Sequence, residues 1–210
     1  EGREALIIDP VIEHSDEYST ILKNLDLKLV KVIDTHIHAD HISALNELNK
    51  RTNCIRVMGE KSKSEVIDLR IKDGEKINVE EVELQAIYTP GHTDCSYSFL
   101  MNDRVFTGDT LLINGSGRTD FQNGNAYDAY DSIFNKLLKL PEKTLVFPAH
   151  DYNGKKFSTI ENEKNNNPRL QVSSKEEYAD IMNNLNLANP KMMDVAVPAN
   201  VKGLTLDNIN

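Results

Sequence analysis

Residues 35–41 read Thr35-His36-Ile37-His38-Ala39-Asp40-His41, and no other stretch restricts the possible folds as much. Imidazole nitrogens and a carboxylate oxygen are donors that suit zinc, iron or manganese. The run follows the strand-like Leu29-Val30-Lys31-Val32-Ile33 and precedes Ile42, Leu45 and Leu48, which recur at helical spacing over 42–51. On a straight strand His36 and His38 would share one face, and on a helix they would be parted. A loop between a strand end and a helix start lets His36, His38, Asp40 and His41 converge from several directions.

Three further segments share this placement. Thr89-Pro90-Gly91-His92 follows the alternating run Val82–Tyr88, and its Pro-Gly turn can aim His92 inward. Phe106-Thr107-Gly108-Asp109 sets a carboxylate at the end of an apolar strand, where burial is costly unless a positive group meets it. Phe147-Pro148-Ala149-His150-Asp151 ends another strand. Each alone reads as an ordinary surface turn; together they put one ligand at each of several strand ends.

The rest of the chain reads as an α/β sandwich with the sheets inside. Ala5–Ile8 is a short strand closed by an Asp9-Pro10 turn, and residues 16–27 form a helix. Residues 66–88 are β-rich, and Tyr97–Met101 with Arg104–Thr107 forms a hairpin around Asn102-Asp103. Residues 127–139 predict one amphipathic helix, and Thr144–Phe147 a strand. Ser158-Thr159-Ile160-Glu161 and Ser174-Lys175-Glu176-Glu177 match the capping-box pattern of a helix start. An Asn- and Pro-rich link near 165–173 divides a catalytic part, 1–165, from a helical extension, 166–210, packed on the same domain.

Composition narrows the function classes. A net charge of −9 disfavours nucleic-acid phosphates. No run reaches the roughly 18 apolar residues of a membrane helix, and no signal-peptide pattern opens the sequence. Two cysteines make no disulfide framework, so a reducing cytoplasm is expected; Cys95, near His92, reads as a small buried thiol.

The series H-x-H-x-D-H, His, Asp, His resembles the ligand series of the metallo-β-lactamase superfamily. That implies an αββα fold with two central mixed sheets flanked by helices. Further segments narrow the resemblance: Asp68–Gly74, Gly117-Arg118-Thr119-Asp120-Phe121-Gln122, Pro148–Tyr152, Asn167-Pro168-Arg169-Leu170 and Ala196-Val197-Pro198-Ala199-Asn200. From Ile8 to about Val201 the chain resembles the persulfide dioxygenases, the sulfur dioxygenases of the ethylmalonic-encephalopathy protein type. The resemblance implies one Fe(II) per chain held by His36, His92 and Asp109, with His38, Asp40, His41 and His150 around it. The implied reaction joins glutathione persulfide, O2 and water to give sulfite and glutathione, with electrons from the substrate and no organic cofactor. A two-histidine, one-carboxylate face leaves positions for a sulfur donor and O2 side by side. Arg118, Tyr152 and Arg169 match family positions near the substrate, and a salt bridge to Asp120 is the alternative for Arg118. Asn114 and Ser116 stand where the family often has Arg and Cys. A strand or hairpin usual before Ile8 looks absent or trimmed, which leaves the edge of the first sheet open.

The rival is a glyoxalase-II-like hydroxyacylglutathione hydrolase, in which Asp40, His41 and His150 would help hold a second metal and Asp109 would bridge the two. Other expectations are a bacterial cytoplasmic location, or a mitochondrial matrix in a eukaryote, and a possible homodimer.

Overall fold

Side chains of successive strand residues alternate between faces, and this alternation sorts the apolar residues into three layers. The computed structural model describes residues 3–151, 154–190 and 192–209. The first sheet has the order β1 (Glu4–Ile8), β2 (Lys28–Ile33), β3 (Ile55–Gly59) and β4 (Leu69–Ile71), with each neighbouring pair parallel. The parallel crossovers run through α1 (Ser15–Asn24) between β1 and β2 and through α2 (Leu45–Thr52) between β2 and β3. The second sheet is built on β5 (Lys76–Val79), β6 (Val82–Tyr88), β7 (Tyr97–Leu100) and β8 (Arg104–Gly108), which are antiparallel in turn. It is completed by β11 (Leu145–Pro148), parallel to β8, and β12 (Ser158–Thr159). A small ribbon, β9 (Leu111–Leu112) and β10 (Gly115–Ser116), stands apart.

Ile33, Val57 and Ile71 of the first sheet meet Ile77, Leu84, Ala86, Tyr97 and Phe99 of the second, forming the central core. Leu29, Val32 and Met58 face outward against Leu22, Leu45 and Leu48 of the helices. On the far side Val105 and Val146 pack under α3 (Ala126–Tyr130), α4 (Ile160–Asn166) and α5 (Lys175–Asn183) through Ala129, Ile160 and Tyr178. The expected αββα layering follows. The C-terminal helices serve both outer layers: Tyr178 and Met182 pack on the second sheet, whereas Ala196 and Ala199 of α6 (Met193–Lys202) pack on the first. The short α7 (Leu206–Ile209) follows α6. We propose that residues 166–210 close the same domain rather than fold apart.

Several local expectations change. Strand β3 was not foreseen; it begins where Asn53, at φ 59°, ends α2 and turns the chain. Helix α2 starts at Leu45 rather than 42, because Ile42 O accepts from Ile12 N at 2.9 Å and Ala44 N donates to Pro10 O at 2.8 Å. The helix expected over 127–139 breaks into α3, a π-helical turn over Asp131–Lys136 and a 3-10 turn over Leu137–Lys139. Thr159, not Ser158, caps α4: its hydroxyl accepts from Asn162 N at 3.1 Å, whereas the Ser158 hydroxyl donates to Glu163. Ser174 caps α5 as expected, but Glu177 reaches back to Ser173 N at 2.7 Å instead of to Ser174.

One buried carboxylate ties α4 to the loops that lead to the site. Glu163, fully buried, accepts from Asn114 N and Asn167 Nδ2, both at 2.8 Å, and from Asn162 Nδ2 and Ser158 Oγ. Asn167 Nδ2 also donates to Gly115 O at 2.9 Å. Removing the carboxylate strands several buried donors together. Glu163→Ala is therefore expected to lower stability by about 3 kcal/mol, read as a shifted urea midpoint. An unchanged midpoint would mean that water replaces the carboxylate.

Candidate metal centre

Strands β2, β6, β8 and β11 all end at one rim of the sandwich, and the chain leaves each of them through a functional motif. Two glycines make these exits possible. Gly91 sits at φ 138°, and a Cβ there would fall 2.3 Å from Ala129 Cα. Gly108 sits at φ 51°, and a Cβ would fall 2.5 Å from Thr35 Oγ1. Only glycine lets the backbone pass so close, and it swings His92 and Asp109 toward the 35–41 loop.

His36, His92 and Asp109 each offer one ligand atom, and the three atoms lie within 4.8 Å of one another. His92 Nε2 is 3.6 Å from Asp109 Oδ2. Hydrogen bonds on the other ring nitrogens decide which atoms face inward. His92 Nδ1 lies 2.8 Å from Arg118 O, an acceptor, so Nδ1 carries the proton and Nε2 its lone pair. Thr35 Oγ1 is 3.0 Å from Asp9 Oδ2 and 2.9 Å from His36 Nδ1. Its one proton goes to the Asp9 carboxylate, so the hydroxyl oxygen accepts from His36 Nδ1–H. His36 Nε2 is then an inward lone pair, buried and without a hydrogen-bond partner among the described residues, as is Asp109 Oδ1. Leaving such atoms unpaired costs free energy that a cation would recover. Two neutral imidazoles and a carboxylate therefore fit a divalent transition metal. Burial, helped by the nearby His38, holds His36 well below the ordinary histidine range, in its ligating form.

The surrounding residues pair with each other through one atom each, while His38 Nδ1 and His41 Nε2 are buried without a hydrogen-bond partner among the described residues. His38 Nε2 is 3.1 Å from Asp9 Oδ1; burial works against its charge, but the Asp9 carboxylate outweighs it and pushes His38 up to about 9. Asp9 also accepts from Thr35 N at 2.7 Å, and His38 and Thr35 together hold its carboxyl low against burial. Burial raises Asp34 to about 7, beside the Ser43 hydroxyl at 3.0 Å. Asp40 Oδ2 meets His41 Nδ1 at 3.1 Å and His150 Nε2 at 3.2 Å; these contacts overcome burial and keep its carboxyl far below the usual range. His150 Nε2 is also 3.7 Å from Asp109 Oδ1. His38, Asp40 and His41 form a second group of possible ligands within 4.8 Å.

A cleft of about 480 Å³ opens above these residues, lined by Asp40, His92, Asp109, Arg118, His150 and Arg169 with apolar Leu112, Leu187, Ala188 and Pro190. Arg118 lines this cleft and also makes the expected salt bridge: Nε and Nη2 each lie 2.7 Å from Asp120, while Nη1 donates to Ala188 O at 2.6 Å. Arg169 Nη1 donates to Ser116 O at the cleft wall. Tyr152 lies outside the described residues. Cys95 is buried in the first outer core, and burial raises its thiol.

Sequence reading missed Asp9, taken only as a turn residue, although a carboxylate ending an apolar strand is the signal that marked Asp109. It also missed Leu187–Pro190, which carry no chemical motif.

The metallo-beta-lactamase superfamily profile matches residues 1–150. The human protein named persulfide dioxygenase ETHE1, mitochondrial, is 44% identical over 205 residues, covering 96% of this chain and 80% of that protein. The chain belongs to the persulfide dioxygenase family. A crystal structure of ETHE1 from Myxococcus xanthus superposes with a TM-score of 0.93 at 48% identity, covering 95% of this chain and 88% of that one. A hydroxyacylglutathione hydrolase of Buchnera aphidicola is more distant: 33% identical over 148 residues, covering 70% of this chain and 57% of that protein. The family's superfamily fold matches the layers described above.

The Asp9–Thr35–His36 chain makes a specific demand. Thr35→Val keeps the shape and removes both hydroxyl bonds. It is expected to weaken Zn(II) or Co(II) binding by about tenfold or more, measured by competition with a chromogenic chelator. Unchanged affinity would show that the hydroxyl does not orient His36.

Proposed function

We propose that the chain oxidises glutathione persulfide with O2 and water to sulfite and glutathione, at one Fe(II) held by His36, His92 and Asp109. The observation that carries this reading is the convergence of His36 Nε2, His92 Nε2 and the Asp109 carboxylate under an open cleft, in a member of the persulfide dioxygenase family. Fe(II) on such a face supplies redox chemistry toward O2 and leaves positions for a sulfur donor.

The chain's own residues supply the rest. Thr35 and Arg118 O fix the two imidazole tautomers. Leu112, Leu187, Ala188 and Pro190 give the cleft an apolar wall that limits water around a reactive sulfur. Arg169 at the same cleft supplies positive charge for a glutathione carboxylate, a geometry in which guanidinium excels. Arg118, braced on Asp120 and Ala188 O, shapes the wall beside it. In the overall reaction the persulfide loses four electrons in all and O2 gains four. The S–S bond breaks and glutathione leaves as the thiol, so no organic cofactor is required.

A thioester-hydrolysing dinuclear site is the second reading, favoured by the His38, Asp40 and His41 group. Against it, the hydroxyacylglutathione hydrolase relative is more distant than the persulfide dioxygenases, at 33% identity over 70% of the chain against 44% over 96%. We place the reaction in a thiol-reducing compartment, a bacterial cytoplasm or a mitochondrial matrix: Cys54 and Cys95 are free and buried, and the mammalian relatives are named mitochondrial. No helix among the described residues is long and apolar enough to cross a membrane.

Iron-loaded protein is expected to hold one iron per chain and to consume O2 and form sulfite with glutathione persulfide, while leaving S-lactoylglutathione intact. His36→Ala should lose both the iron and the oxygen uptake. Two metals per chain with brisk thioester hydrolysis and no oxygen uptake would sink the proposal. If Arg169 meets a substrate carboxylate, Arg169→Met should raise KM by about tenfold with a smaller change in kcat.

A further inference from the structure

We infer that Asn200, on the C-terminal helix α6, is a positioning residue that holds the loop carrying His38, Asp40 and His41 in its working shape. This inference rests on the metal reading above. Asn200 Nδ2 donates to His38 O at 2.9 Å and to His41 O at 3.0 Å, and its Oδ1 accepts from Ser43 N at 2.8 Å. Two carbonyls and one N–H leave a single orientation for the amide: the NH2 must face the carbonyls and the oxygen must face Ser43. Both amide protons are thereby spent. The side chain spans the loop from residue 38 to residue 43, and Asp40 lies between the two carbonyls it grips.

The grip is only as firm as the helix behind it, and α6 is fastened by bonds that do not touch the loop. Val201 O accepts from Glu65 N at 2.8 Å. Asn200 O accepts from Ser64 Oγ at 3.2 Å. Just beyond α6, Leu206 N donates to Glu47 Oε2 at 3.2 Å, and Ala196 and Ala199 are buried against the first sheet. Across the loop, Gln122 Nε2 donates to Ile37 O at 2.8 Å. The segment is therefore held from two sides, and Asn200 is the contact that reaches the residues around Asp40. With it in place, the Asp40 carboxylate faces His41 and His150, and His150 stands beside Asp109. Without it the loop keeps the His38 ring on Asp9 and Ile42 O on Ile12 N, but the backbone around Asp40 loses the brace on either side of it and shifts the wall of the metal centre there. His36 remains held by Thr35, so the metal is weakened and reoriented rather than lost.

The test uses the full chain and Co(II) as a spectroscopic probe, with apparent Kd, visible absorption spectrum and metal-free Tm as readouts. Asn200→Ala removes all three bonds. Asn200→Asp keeps the acceptor for Ser43 N but cannot donate to the carbonyls, and it serves alone if the alanine variant does not fold. Val201→Ala, on the same helix and packed in the same core, is the stability control. Both Asn200 variants are expected to weaken Co(II) about tenfold and to alter its visible bands. Val201→Ala should lower Tm without moving either. In iron-loaded protein, kcat for oxygen uptake should fall more than KM rises. Wild-type affinity and spectrum in both Asn200 variants would overturn the inference. So would full recovery in Asn200→Asp, which would assign the role to Ser43 alone. A wild-type chain that ignores Co(II), or an intact response in His36→Ala, would overturn the metal reading and this inference with it. Loss in His36→Ala beside an unaffected Asn200→Ala would overturn this inference only.

Discussion

The site depends on the carboxylate of Asp9, the residue just after β1, at φ 51°. Burying it is costly, and the cost is offset by the groups it gathers: the backbone N–H and hydroxyl of Thr35, and the His38 ring. Those bonds join the end of β1 to the exit of β2. They decide which nitrogen of His36 carries a proton and which faces Asp109. They also draw His38 toward β1, with its Nε2 engaged by Asp9. The left-handed backbone at Asp9 is the geometric condition for this, because it turns the chain sharply just where the carboxylate is needed.

A second condition comes from the core between the sheets. His36 leaves one sheet, while His92, Asp109 and His150 leave the other. Their convergence depends on the depth at which Ile33 and Val57 pack on Leu84, Tyr97 and Phe99. Close packing makes that distance stiff. The glycines at 91 and 108 then let the exits approach within contact of Ala129 and Thr35, where a side chain would hold them apart. Asn200 and Gln122 act at the end of this hierarchy, steadying a loop already in place.

Charge is arranged in pairs. Asp9 meets His38, Asp40 meets His41 and His150, and Asp120 meets Arg118. What remains unpaired around the site, among the described residues, is His36 Nε2, His38 Nδ1, His41 Nε2 and Asp109 Oδ1. Arg118 shows how one side chain links site to substrate wall: its backbone oxygen orients His92, while its guanidinium grips Asp120 and the carbonyls of Leu187 and Ala188.

Much of this was legible in the order of residues. Strand alternation, the Pro90-Gly91 turn and clustered histidines act over a few neighbours, so most of the longer strands, though not β3, and the strand-end donors His36, His92, Asp109 and His150 could be named without coordinates. The partners of those donors could not. Thr35 finds Asp9 across 26 positions and His38 finds Asn200 across 162, and no spacing rule encodes such pairs. The same holds for the grip of Arg118 on the carbonyls of Leu187 and Ala188 beside the cleft, and for the apolar wall at Leu187–Pro190. Local sequence thus determined which chemical groups stand at the ends of strands, since backbone conformation there is set by adjacent residues. Tertiary structure alone decided which nitrogen points inward and which carboxylate is already spent, because those outcomes depend on the packing of two sheets and a distant helix.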